Sequence, residues 1–262
     1  MLAVRCDVSP RETEIRQLIK LLDRRPVHHI DKKKQAIENS KSTLMLAIEF
    51  DHHGFIGQLL ELGVDVNAKD YFGNTALFVA IRHKALDVIP MLLEYDASVF
   101  TLNDTSNTVL MEASRLGFIQ LVIEFIRLGI NVNHRNKYSD TALIMAAHRN
   151  HKDIVQILLH HGAAVNIQNS DGTTALHYAC QRNCFTISSA LIFAGADPYM
   201  RDKKRKSSYD RCSTCELEEK LKTRLIRRIA LELSISKHVT DNIFRLLRQK
   251  QHDAWRHVLL YV

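Results

Sequence analysis

Glycine and proline are scarce in this 262-residue chain, at nine and four residues. That excludes collagen-like and low-complexity chains and argues against a fold built from tight β-turns. Long apolar runs are missing as well: none approaches the roughly 18 residues of a membrane-spanning helix. The opening stretch MLAVRCDVSPRETEIR lacks the apolar core that a secretory signal carries. Cysteine is limited to five residues, an odd number unevenly spread, which speaks against a disulfide framework. Reduced thiols in the cytosol or nucleus are the expectation. Also lacking are a Gly-rich phosphate loop, a nucleophile elbow and a paired-carboxylate motif. No enzymatic activity, catalytic residue, cofactor or metal is therefore expected.

What is present suits a folded chain: 46% apolar and 25% charged residues. The charge is uneven. Residues 1–200 hold 20 Lys and Arg against 21 Asp and Glu, a net of −1, whereas residues 201–262 hold 16 against 8, a net of +8. The basic pI belongs to the C-terminal quarter.

A period of 33 residues organises the rest. Thr75, Thr108, Thr141 and Thr174 are spaced by it, and so are Ala47, Ala80, Ala113, Ala146 and Ala179. The apolar pairs Leu59-Leu60, Leu92-Leu93, Phe125-Ile126, Leu158-Leu159 and Leu191-Ile192 keep the same interval. Polar openers recur at Asp70, Asn103, Asn136, Asn169 and Asp202. Within one unit, Asp70 to Gly73 is turn chemistry. Thr75 stands where a helix N-cap hydroxyl satisfies free backbone N–H groups. Leu77, Ala80 and Ile81 have helical spacing, and a second apolar helical run covers Val88 to Leu93. A turn, a short helix, a longer helix and a loop cannot bury their own apolar face; stacking on neighbouring units does that.

The segments DYFGNTAL (70–77), NKYSDTALIMAA (136–147), LLHHGAAVN (158–166) and NSDGTTALHYA (169–179) resemble the ankyrin repeat family. The resemblance covers roughly residues 35–212. It implies an all-α solenoid of helix-turn-helix units with hairpin-like fingertip loops and a helical C-terminal extension. The family's Thr-Pro-Leu-His departs to Thr-Ala-Leu-Phe, Thr-Val-Leu-Met, Thr-Ala-Leu-Ile and Thr-Ala-Leu-His; no unit keeps the proline and only one keeps the histidine. That histidine is His177, which the resemblance makes structural. Cys180, on the same helix, stands where sister units have Ala147 and Ser114.

The predicted organisation is a helical cap or half-repeat over 1–34, then repeats over 35–212, then a basic amphipathic extension over 213–262. Full units start near 37, 70, 103, 136 and 169, with a degraded sixth from 202. In the cap, a helix over 12–25 has one apolar face, and Lys32, Lys33 and Lys34 follow in a loop. In the extension, Leu217, Leu221, Leu225 and Ile229 recur every four residues, as in an amphipathic helix whose charges, including Arg224, Arg227 and Arg228, point outward. More helix is predicted after Thr240. The extension either caps the stack or forms a second docking site.

Specificity in ankyrin proteins lies on the fingertip turns and inner-helix ends. The resemblance places those positions at Tyr71, Phe72, Asp104, Thr105, Lys137, Tyr138, Ser170 and Asp171 for the fingertips. The helix ends are Glu49, Phe50, Arg82, His83, Arg115, Leu116, His148, Arg149, Gln181 and Arg182. Arg82, Arg115, Arg149 and Arg182 recur in four successive units, with a one-residue slip between the second and third. Arginine's planar fork suits carboxylates and aromatic neighbours supply apolar contact, so the expected partner is a protein presenting acidic residues. Lys203, Lys204, Arg205 and Lys206 read either as an import signal or as a basic fingertip. The basic tail also admits nucleic acid or an acidic lipid surface as a partner, though it carries no recognisable nucleic-acid module. Cys212 and Cys215 have the spacing of half a zinc site, with Cys180 and Cys184 as the conceivable other half. Stacked repeats sit roughly 10 Å apart, however, whereas Zn–S bonds need about 2.3 Å, so small-residue helix packing is the reading. The histidine pairs at 28–29, 52–53 and 160–161 lack ligand spacing and read as surface.

Overall fold

The computed structural model describes residues 42–212 and 215–232. The predicted helix over 12–25, the lysines at 32–34 and the helices beyond 232 lie outside the described residues. The chain divides into two compact units, Met1–Glu112 and Ala113–Val262.

The first unit holds α1 (Thr43–Glu49), α2 (His53–Glu61), α3 (Ala76–His83), α4 (Val88–Glu94) and the first half of α5 (Val109–Leu116), which runs on into the second. The inner helices α1 and α3 pack on each other, as do the outer helices α2 and α4. The second unit continues with α6 (Ile119–Arg127), α7 (Ala142–His148), α8 (Lys152–His160), α9 (Ala175–Gln181) and α10 (Phe185–Phe193). A 3-10 turn (Tyr209–Arg211) and the long α11 (Cys215–Glu232) end the described part. Here α7 packs on α9, α9 on the 3-10 turn, and α6, α8 and α10 on one another in order; α11 lies along α10.

The 33-residue period has a physical cause in three chain reversals. The inner helix ends on a left-handed residue, Asp51, Lys84, Gly117, Asn150 or Asn183. The amide after each of them donates back to the carbonyl of the recurring alanine, from His52 to Ala47 at 2.9 Å through Cys184 to Ala179 at 2.9 Å. This is the Schellman closure of a helix C-terminus. Gly117 is required rather than merely tolerated: a Cβ there would stand 2.7 Å from the His151 ring, whose Nε2 caps the Arg115 carbonyl at 3.1 Å. The outer helix ends likewise on Gly63, Asp96, Gly129, Gly162 or Gly195. There the returning bond goes to the first residue of each apolar pair, as from Ala97 to Leu92 at 2.9 Å.

The third reversal is the fingertip. Each polar opener turns its carboxylate or amide oxygen onto backbone N–H groups two and four residues on. Asp70 accepts from Phe72 (2.9 Å) and Asn74 (2.8 Å), Asn136 from Tyr138 and Asp140 (both 2.9 Å), and Asn169 from Asp171 and Thr173 (both 3.0 Å). Short polar side chains favour such turns because they replace a backbone acceptor. The turns are hairpin-like: the Asp70 amide donates to the Asn74 carbonyl at 2.9 Å. Among the described residues they form no strand.

Burial follows the register. Ala47, Ala80, Ala113, Ala146 and Ala179 are all fully buried, so inner helices approach closely; Leu59, Leu92, Phe125, Leu158 and Leu191 are buried on the outer layer. Asn67, Asn133 and Asn166 bind the next unit's outer-helix loop at two points. Asn166 donates to the Gly195 carbonyl at 3.1 Å and accepts from the Asp197 amide at 2.8 Å. Thr108, Thr141 and Thr174 cap their helices as expected, for example Thr141 to the Ile144 amide at 3.3 Å. Thr75 does not. It has the same extended backbone, but its buried hydroxyl has no hydrogen-bond partner.

Residues 202–212 form a fingertip and a 3-10 turn. Asp202 still organises a fingertip, and Ser207 and Asp210 form a reciprocal capping pair. The helix they open stops after one 3-10 turn. The extension differs from the outward-charged helix of the expectation. Leu221, Leu225 and Ile226 are buried, but three of its cations turn inward. Arg224 lies over the Phe193 ring at 4.2 Å, Lys222 over Tyr209 at 5.6 Å, and Arg228 donates to the Ile192 carbonyl at 2.9 Å. Long basic side chains cover apolar surface with their stems, and the negative C-terminal end of α10 attracts a cation, the Ile192 carbonyl accepting from Arg228 as well as from the Gly195 amide. α11 thus packs along the last outer helix of the second unit.

Candidate protein-binding surface

In the first unit, Tyr71 and Phe72 stand on one fingertip, each about half exposed, their rings edge to face at 5.3 Å. The turn beneath them is fixed by Asp70 and by the Phe72 carbonyl, which accepts from the Asp104 amide at 2.9 Å. His83 is exposed. Arg82 is committed inside its own unit: its Nε lies 3.5 Å from the buried Glu112 carboxylate, and its guanidinium reaches the Asn74 amide oxygen at 3.5 Å. A buried carboxylate demands such a counter-charge.

In the second unit, Arg149 and Arg182 are the C-cap residues of α7 and α9, with nearly the same backbone angles (φ −91, ψ 0 and φ −88, ψ 2). Both are exposed and neither forms an ion pair among the described residues. Between them lies His148, its ring 4.6 Å from that of Tyr178. The tyrosine hydroxyl accepts from the Asn169 amide at 3.4 Å, and Asn169 also donates to Asp140 at 2.9 Å. Burial, and then the neighbouring Arg182 and Arg149, push the His148 pKa below its ordinary value, so the imidazole is held neutral. Burial pushes Asp140 and Tyr178 up. Tyr138, on the adjoining fingertip, is 59% exposed beside the exposed Lys137. Arg115 and Leu116 are half-buried at the end of α5.

The structure therefore gathers His148, Arg149, Arg182 and Tyr178 on two adjacent inner helices. Arg82 belongs to the first unit. Tyr178, Glu112 and Arg211 escaped the sequence reading. Their signal was the register: residues 112, 145, 178 and 211 are spaced by 33. Arg211 donates to the buried Asp202 through Nε at 3.1 Å and through Nη2, and to Thr173 at 3.3 Å. Burial works against the Asp202 carboxylate, but Arg211 and the Lys206 and Lys204 amides outweigh it and hold its pKa low.

His177 is structural, as the resemblance implied. Fully buried, it accepts the Thr174 amide on Nδ1 (3.2 Å) and donates from Nε2 to the Lys206 carbonyl (3.2 Å). Burial lowers its pKa, in keeping with the neutral tautomer those bonds require. Cys180 is buried 3.9 Å from the Ser188 hydroxyl, and Cys184 donates to Asn150 at 2.8 Å. Among the described residues no group of three or more His, Cys, Asp or Glu could hold a metal ion. Nor is any described helix long and apolar enough to cross a membrane. Lys203, Lys204, Arg205 and Lys206 are all exposed on the last fingertip, and Arg227 is exposed on α11.

Paired helices stacked in register, with side chains displayed from their turns, define a helical-repeat binding protein. A family model of ankyrin repeats, in three copies, matches residues 2–104 and 110–202. The chain belongs to the ankyrin repeat family, whose repeats mediate protein–protein interaction and typically act as non-enzymatic modules.

Proposed function

We propose that this chain is a non-enzymatic scaffold that binds an acidic segment of a partner protein on the inner-helix ends and fingertips of its second unit. The observation that carries the reading is the pair Arg149 and Arg182. They are presented from equivalent C-caps of adjacent helices, exposed and without an ion-pair partner among the described residues, and both act electrostatically on His148, whose ring contacts that of Tyr178. Neighbouring helices pack about 8–10 Å apart, so the partner offers two carboxylates about one helix spacing apart. Tyr138 supplies the aromatic contact that such interfaces favour. The Tyr71–Phe72 pair is a second apolar contact point, on the first unit. The thiols of Cys180, Cys184 and Cys212 suit a reducing compartment, cytosol or nucleus.

The test is photo-crosslinking in the native cell type from a benzoylphenylalanine at Tyr138, with the crosslinked peptides identified by mass spectrometry. The reading expects one dominant partner peptide containing aspartate or glutamate, lost in the R149E/R182E variant once circular dichroism shows the variant folded. The same crosslinks in that variant would refute it.

A further inference from the structure

The last fingertip carries Arg201, Lys203, Lys204, Arg205 and Lys206, all exposed. A run of four cations suits an import carrier only if it can be drawn out as an extended strand. Here it is closed. The Asp202 amide donates to the Lys206 carbonyl (3.0 Å), the Arg205 amide to the Asp202 carbonyl (2.8 Å), and the Lys206 amide to Asp202 Oδ1 (2.8 Å). From outside the turn, the Lys203 amide donates to the Asp171 carbonyl (3.0 Å) and buried His177 donates to the Lys206 carbonyl (3.2 Å). Extending the run breaks all five bonds and unseats His177. As folded, the run is a preorganised cationic knob.

None of the five cations forms an ion pair among the described residues. Of the carboxylates nearest in sequence, Asp202 is buried against Arg211, Asp210 takes the Ser207 amide and hydroxyl, both at 2.7 Å, and the exposed Asp197 accepts the Tyr199 amide at 2.9 Å. Five like charges on one turn repel one another, and an outside polyanion relieves that. Arg149 and Arg182 add exposed cations in the same unit, with Asp171 the exposed carboxylate on the intervening fingertip. A lipid surface is disfavoured because no exposed apolar side chain stands within the turn to enter a bilayer. Single-stranded nucleic acid is disfavoured because the one aromatic ring next to the turn, Tyr199, is packed against Tyr209 at 5.5 Å rather than offered for stacking.

We propose that the turn 201–206 is the second contact of the same acidic protein segment, which crosses the second unit from Arg149 and Arg182 to this knob. The inference rests on the binding reading above and adds its direction and second anchor point.

The test uses the full chain and fluorescence anisotropy with a labelled peptide of alternating glutamate and serine. Labelled single-stranded DNA of matching charge and phosphatidylserine vesicles serve as rival probes. The K203E/K204E/R205E variant is expected to weaken the peptide about tenfold and to flatten its salt dependence. K203Q/K204Q/R205Q, which removes charge without reversing it, gives a smaller loss, and R149E/R182E an independent one. Peptide affinity unchanged in both turn variants, with loss in R149E/R182E, overturns the knob and leaves the groove reading standing. Unchanged affinity in all three variants overturns both. Tighter binding of DNA or vesicles than of peptide, lost with the turn charges, overturns the choice of an acidic protein.

Discussion

His177 is the point where the fold of the second unit is most exposed to a single change. Replacing it with alanine leaves the Thr174 amide without a partner in a buried place, worth about 1–3 kcal/mol, and takes one of two donors from the Lys206 carbonyl, which keeps the Asp202 amide at 3.0 Å. The cavity adds to this, for a total of about 3–5 kcal/mol. Because repeats are stabilised by their neighbours, the loss concentrates in the last repeats and the cap rather than spreading over the chain. Urea unfolding followed by circular dichroism should show an early transition, and hydrogen exchange should place it around the 169–212 segment. His177→Gln, which keeps one donor and one acceptor, should recover part of the loss. The pH dependence has a fixed sign. The folded pKa of His177 lies below the ordinary value of about 6.5, so below that pH the unfolded chain binds the extra proton first. Stability is complete above about pH 6.5 and falls as the pH drops through the ordinary toward the folded pKa. His148 acts in the same window with the same sign, so the informative quantity is the difference between the native chain and His177→Gln, which should be less acid-sensitive. A His177→Ala variant destabilised by less than about 1 kcal/mol, or a pH slope identical in His177→Gln, would refute this account.

Four further outcomes follow from individual contacts. Asp202→Asn breaks a buried pair with Arg211 and should cost about 3–5 kcal/mol in urea unfolding at neutral pH. Because the Asp202 pKa is held low, that contribution persists above the ordinary carboxylate range and disappears only as the pH falls through the depressed value, so variant and native curves should converge in strong acid. Thr75→Val should change stability by no more than about 0.5 kcal/mol, since its hydroxyl bonds nothing, whereas Thr174→Val should cost about 1 kcal/mol; paired denaturation curves decide. Asn166→Ala removes two bonds that water can partly replace at the surface and should cost about 1 kcal/mol by the same measurement. Leu221→Ala should cost about 2–5 kcal/mol and speed hydrogen exchange along α11 while leaving the first unit unaffected.

The scaffold was legible in the sequence where one residue type is physically required at a position. Small side chains must stand at Ala47 through Ala179 for inner helices to meet, so they repeat. The openers Asp70 through Asp202 must offer an acceptor to two backbone amides, so they repeat too. The left-handed residues were not legible, because only Gly117 announces one. Asp51, Lys84, Asn150 and Asn183 take the same conformation under the pull of the bond to the alanine carbonyl, and no side-chain pattern shows it. The inward cations of α11 were missed for a related reason: a helical wheel assigns Arg224 and Arg228 to water, whereas the Phe193 ring and the Ile192 carbonyl beneath them come from α10.

Binding residues obey the opposite rule. A position free of structural duty is free to vary, so the surface is found by asking which side chains the scaffold leaves unengaged. Arg82 and Arg211 look equivalent to Arg149 and Arg182 by residue type, yet each answers a buried carboxylate, Glu112 and Asp202. Removing either would be read as lost stability, whatever it did to binding. Arg149 and Arg182 have no such debt, and neither do the five cations of the last turn. Apart from the Arg201 guanidinium, which donates to the Arg205 carbonyl at 2.9 Å, and the pull of Arg201 and Lys206 on Asp210, charge there costs the fold self-repulsion without an ion pair among the described residues, which is why its use is to be sought in a partner.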